Sequence, residues 1–119
     1  MAFKWKKLYD VGEHLRKYSN NEEYQRSAVG RYYYACYLIA RDYYENKTRD
    51  KLKKIKSHKK LINFFKYSHD EIERNIGFNL DNLRILRNKA DYDQVFDAES
   101  VIDSKDYSNE ILNLFKRLK

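Results

Sequence analysis

The stretch "EEYQRSAVGRYYYACYLIARDYYEN", Glu22 to Asn46, decides how the rest of the chain is read. Its apolar and aromatic residues recur at helical rather than alternating spacing. At about 100° per residue, Ala28, Val29, Tyr32, Tyr33, Cys36, Ile39, Ala40 and Tyr43 cover one broad arc. Arg31, Arg41, Asp42 and Glu45 are left on a narrow stripe. A helix apolar over most of its circumference belongs at the centre of a bundle. Its small residues, Ala28, Gly30, Ala35 and Ala40, are expected to let neighbouring helices approach closely. Half of the chain's twelve tyrosines lie between positions 32 and 44 of this stretch, at 32, 33, 34, 37, 43 and 44. Buried hydroxyls need partners, so the pattern asks for a polar network or a second subunit. Core packing accounts for most of these rings, with a base-stacking platform as the alternative.

On the N-terminal side, Leu8, Val11, Leu15 and Tyr18 follow Trp5 at helical spacing and predict a helix from about Lys4 to Tyr18. Ser19 to Asn21 break it and offer a cap to the central helix. On the other side, "SHKKLINFFKYS" predicts a third helix with Ser57 as its cap and Leu61, Ile62, Phe64 and Phe65 inward. A fourth is expected from about Asn79 to Tyr92. A last runs from about Ser100 to Leu118, its start broken irregularly by Asp103 to Asp106. Five helices with short connections imply an all-α, antiparallel up-and-down bundle in a single domain, residues 1–119. Three glycines and no proline in 119 residues suit neither a sandwich nor a barrel, and 16% aromatic residues exclude disorder.

The net charge of +7 favours a polyanionic partner, nucleic acid first. Abundant Lys, Asn, Tyr and Ile also suit an AT-rich genome, which competes as an explanation. The basic run "KTRDKLKKIKSHKK" places Lys51, Lys53, Lys54, Lys56, Lys59 and Lys60 as candidate phosphate contacts, or as a solvated linker. Cys36 reads as a buried thiol in a reducing compartment. The N-terminal residues lack an apolar run suited to a signal peptide, and no segment has the ~20 apolar residues of a membrane span, so a cytoplasmic protein is expected.

Near the end of the fourth helix, "LRNKADYD" holds Arg87. On a wheel turning about 100° per residue, Arg87 falls within about 20° of Leu80, inside the apolar face, and Asp91 is its i+4 neighbour. A desolvated arginine needs a partner. Arg87 is therefore either half of a structural pair with Asp91, with room for a tyrosine hydroxyl to join, or a guanidinium held in a cleft to grip phosphate. His58 opens a helix, while His14 and His69 are expected to face solvent. The histidines and acids show no metal-ligand spacing, and there is no glycine-rich phosphate loop or Ser-His-Asp order, so no cofactor is expected.

Three stretches, "SAVGRYYYACYLIARDYY", "SHKKLINFF" and "LRILRNKADYD", together resemble in order the HEPN family of helical domains (higher eukaryotes and prokaryotes nucleotide-binding), over about Arg26 to Asp93. The resemblance implies a prokaryotic defence or toxin–antitoxin protein that binds RNA or nucleotide. It also implies a homodimer, with a minimal nucleotidyltransferase antitoxin or another defence protein as a possible partner. On that basis Arg31, Arg87 and Asp91 shape a polar cleft, supported by Asn88. Many members are metal-independent ribonucleases whose arginine is followed, about five positions on, by a histidine. Here that place holds Tyr92. Near neutral pH only about one tyrosine in a thousand is ionised, which makes it a poor general base. The alternative function is a metal-independent ribonuclease using Arg87 with Tyr92 or His58.

Overall fold

In the computed structural model, which describes residues 3–52 and 57–118, five helices form an all-α bundle. They are α1 (Lys6–Tyr18), α2 (Glu22–Thr48), α3 (Ser57–Lys66), α4 (Glu71–Tyr92) and α5 (Glu99–Arg117). The long apolar stretch forms α2 and touches each of the other four helices. Ala28, Ala35, Cys36 and Ala40 on it are fully buried. Helix α2 ends where Arg49 takes a left-handed conformation, φ 64°, and donates its N–H to the Glu45 carbonyl.

Side-chain contacts set the helix directions. Trp5 Nε1 donates to Asp42 at 2.7 Å, while Arg16 at the other end of α1 meets Tyr32, so α1 and α2 run antiparallel. Lys47 pairs with Glu73 and Arg26 reaches the Ala90 carbonyl, so α2 and α4 are antiparallel too. Helices α2 and α5, however, run parallel. Val29 packs in one cluster with Val101, the Cys36 thiol faces the Ser108 carbonyl at 3.6 Å, and the Tyr43 and Phe115 rings lie 5.7 Å apart. These contacts step along both helices by the same seven residues, which keeps two nearly parallel helices in register.

Several local expectations shift. Val11 and Tyr18 point outward, because Gly12 turns toward α2 instead: a Cβ there would sit 2.9 Å from the Tyr32 ring. Asn21 occupies the cap position of α2 without a side-chain cap, its N–H going to Ser19 Oγ. Gly30, expected to bring a neighbour close, faces open space. Phe64 is half-buried rather than core, edge-on to Tyr44.

Helix α4 starts two turns earlier than expected. Asp70 caps it by accepting from the Glu73 N–H at 2.9 Å. Gly77 then lies within the helix rather than before it, because α3 crosses there: a Cβ would stand 2.4 Å from the Lys66 backbone nitrogen. Helix α5 is continuous through Asp103 to Asp106. The buried Ser104 and Ser108 hydroxyls donate to carbonyls of their own helix, at Ser100 and Lys105, so they present small, satisfied surfaces to the core.

Two of the three helical glycines make opposite predictions. Gly77→Ala forces a methyl into the α3 backbone and should cost about 1–3 kcal/mol or more. Gly30→Ala meets nothing and should stabilise by up to about 1 kcal/mol through helix propensity. Urea unfolding of both variants checks this, and a Gly77→Ala protein as stable as wild type would refute the close crossing.

Candidate functional site

The tyrosines of α2 organise the polar interior. Tyr32 donates to Glu13 at 2.5 Å, Tyr43 to Glu73, and Tyr44 to Asp50 at 2.6 Å. Tyr37 shares a hydrogen bond of 2.8 Å with Ser57, and Tyr33 meets His58 Nδ1 at 2.5 Å. The expected polar network is therefore present within one chain. Glu73 is the most enclosed acid in it, held by Tyr43, Lys47 and Ser68.

Arg87 lies where the wheel puts it. Its side chain is 11% exposed and its Nη1 donates to Asp91 at 3.0 Å. The tyrosines join it by their faces and not by a hydroxyl: the guanidinium carbon sits 5.1 Å from the Tyr33 ring centre and 5.5 Å from that of Tyr34. Burial works against the charge, but the Asp91 hydrogen bond and the tyrosines outweigh it, and the guanidinium is held more firmly protonated than usual. Its Nε is buried without a hydrogen-bond partner, as is that of Arg84 one turn earlier.

His58, from the first turn of α3, is brought onto the same tyrosines. Its ring stacks 4.2 Å from Tyr37 and 5.6 Å from Tyr33. Burial, followed by the positive charges of Arg87 and Arg84, pushes its pKa down to about 4, so the ring is neutral near pH 7. Burial also raises the pKa of Tyr33, whose neutral hydroxyl shares a hydrogen bond with Nδ1. Among the described residues Nε2 meets no hydrogen-bond partner, so it is the ring nitrogen left to meet a ligand.

Beside Arg87, between the N-terminal half of α2 and the C-terminal end of α4, lies a cleft of about 390 Å³. Arg26, Arg31, Tyr34 and Asp91 are among its lining residues. Arg31 is exposed and makes no ion pair among the described residues. Arg26 is already engaged by Glu22 and by the Ala90 and Gln94 carbonyls. Tyr34 connects the cleft to the Arg87–His58 cluster.

Other expected residues stand apart. Tyr92 ends α4 with 78% of its surface exposed, and Asn88 makes no hydrogen bond among the described residues. Lys51 lies 3.7 Å from Glu45, Lys60 pairs with Asp50 at 2.7 Å, and Lys59 is exposed. Lys53, Lys54 and Lys56 lie outside the described residues. His14 and His69 are exposed as expected. Sequence reasoning missed Arg84 and did not name Tyr33 and Tyr34 as the tyrosines beside Arg87. The available signal was the three-residue spacing of Arg84 and Arg87, which sets both on one side of α4. Among the described residues, no group of three or more His, Cys, Asp and Glu is arranged to hold a metal ion, and no helix is long and apolar enough to cross a membrane.

The depressed histidine makes stability pH-dependent. Unfolded, His58 titrates near its ordinary value of 6.5, and folded near about 4. Between these values the unfolded chain binds the proton and the folded one does not, so stability falls as pH drops through this window. Glu13 and Glu73 are also buried, which raises a carboxyl, but hydrogen bonds from Tyr32 and from Lys47 respectively outweigh that and hold both below their ordinary 4.5. Their contribution is thus lost only in more acid solution. Thermal melts of wild type should decline from pH 7 to 5, and His58→Gln should flatten that decline; an equal slope in the variant would remove His58 as its cause.

No family model, curated protein or solved structure matches this chain.

Proposed function

We propose that this is a HEPN-like helical protein of a prokaryotic defence or toxin–antitoxin system that binds RNA or nucleotide in the cleft between α2 and α4. The observation that carries the proposal is Arg31, which makes no ion pair among the described residues and lines a cleft that Tyr34 joins to the Arg87–Asp91 pair. A cation free to meet phosphate, an aromatic face beside it and a rigidly anchored second guanidinium suit a nucleotide unit. The net charge of +7 adds long-range attraction for a polyanion.

The ribonuclease reading is favoured by the meeting of His58 and Arg87 on the same tyrosines. It is weakened by the engagement of His58 Nδ1 with Tyr33 and by the outward position of Tyr92. Binding without cleavage is therefore the better reading.

A second copy of the chain fits the outer face of α4. Phe78, Ile85 and Tyr92 are all exposed there and follow each other at seven-residue spacing, with Ile85 midway. Such a stripe is self-complementary about a two-fold axis through Ile85. A nucleotidyltransferase or other defence protein remains the expected partner in the wider system.

Incubating the protein with labelled single-stranded RNA in EDTA should give retardation on a gel without cleavage. Arg31→Gln should weaken retardation several-fold and reduce its salt dependence by about one phosphate contact. Retardation by wild type and variant alike would displace the binding site from this cleft, and cleavage by wild type would restore the nuclease reading. Separately, Ile85→Glu should convert a dimer to a monomer in sedimentation; a monomeric wild type would exclude the α4 pairing.

A further inference from the structure

Around His58 the structure presents hydrogen-bond donors and too few acceptors. Arg84 is half-buried, makes no hydrogen bond or ion pair among the described residues, and has its Nε shielded from water. Among the described residues Arg87 makes a single hydrogen bond, to Asp91, and its Nε is likewise unmet. His58 has its Nδ1 engaged by Tyr33, which leaves Nε2 as the ring nitrogen without a partner among the described residues. Among the described residues the rings around the imidazole are Tyr33, Tyr34 and Tyr37 from α2, Arg87 of α4 lies over two of them, and the charges of Arg87 and Arg84 act on the imidazole. None of these five is an acid. The charge of Asp91 is already committed to Arg87.

Leaving two guanidinium nitrogens buried and unmet is costly in a folded chain. A helical bundle built for stability alone would place a carboxylate or an amide oxygen beside Arg84. Repulsion from the arginines also opposes any charge on His58, so the cluster carries uncompensated positive potential in a partly desolvated position. Such a place is completed by an anion whose oxygens accept from several donors at once.

We propose that Arg84, Arg87 and His58 form a binding site for a terminal phosphate monoester, distinct from the Arg31 cleft and joined to it by Tyr34. This deepens the nucleotide-binding reading and rests on it for the identity of the ligand as a phosphate. A dianionic monoester matches two guanidinium charges better than the single charge of a backbone diester. Its oxygens take the free guanidinium hydrogens and the Nε2–H. Bound phosphate also reverses the potential at the imidazole, so it favours protonation of His58, with Nδ1–H then donating to the Tyr33 hydroxyl. Binding is thereby coupled to proton uptake by His58.

The test is nuclear magnetic resonance of the His58 ring in the full chain, titrated with inorganic phosphate. The expected result is a saturable shift of the ring signals and a rise of one unit or more in the His58 titration midpoint, equal to a preference of about ten-fold for the protonated ring. Arg84→Gln should abolish the phosphate response while leaving the melting temperature without phosphate equal or higher, because it removes an unmet cation. No response of His58 to phosphate up to tens of millimolar, or an equal response in Arg84→Gln, overturns the proposal. So does a variant that melts lower and keeps its response, since Arg84 would then be structural. A dinucleotide with a terminal phosphate should shift His58 where the same dinucleotide without it does not, and equal shifts would reassign the site to the backbone diester. Arg31→Gln should retain the phosphate response even where RNA retardation is lost, which separates failure of this site from failure of the cleft.

Discussion

Five tyrosine hydroxyls on α2 must each find a partner inside the bundle, and the partners come from almost every other part of the chain. Glu13 comes from α1, Ser57 and His58 from α3, Glu73 from α4 and Asp50 from the segment after α2. A buried hydroxyl left unmet costs about as much as a lost hydrogen bond, so each pairing restricts where its helix can sit. The tyrosine ladder thus acts as a set of polar constraints laid over the apolar core. Rotation of α3, for example, would separate both Ser57 and His58 from their partners at once.

The same constraint builds the candidate site. Tyr33 faces both ways, its hydroxyl holding His58 and its ring carrying Arg87. Packing that satisfies the hydroxyl therefore also sets an imidazole near two guanidinium groups. Ion pairing then separates the cations of this chain into two kinds. Lys47, Lys60 and Lys66 meet carboxylates and serve the fold. Arg31 and Arg84 meet none among the described residues; Arg31 lines the cleft with Tyr34, and Arg84 lies one turn before Arg87 on α4.

Much of this was legible in the sequence. The apolar breadth of α2 marked the central helix, and the wheel placed Arg87 on the buried face with Asp91 in reach. The demand for partners to the tyrosine hydroxyls followed from their number alone. Errors arose where a residue's role depended on a neighbour distant in sequence. Gly77 resembles a helix break until α3 is known to cross it, and Gly30 resembles a close-packing position until its surroundings prove open. The serines of α5, set among charges, give no outward sign that their hydroxyls turn back onto their own helix.

Periodicity and composition, which depend only on the local chain, determined by themselves the all-α class, the central helix and the Arg87–Asp91 pair, since i and i+4 residues meet on any helix. Tertiary structure alone decided that α5 runs parallel to α2, that His58 reaches the Arg87 cluster and that its Nδ1 is taken by Tyr33. These depend on contacts between residues tens of positions apart. No local pattern encodes such contacts, because they arise only when the helices dock and their buried polar groups compete for partners.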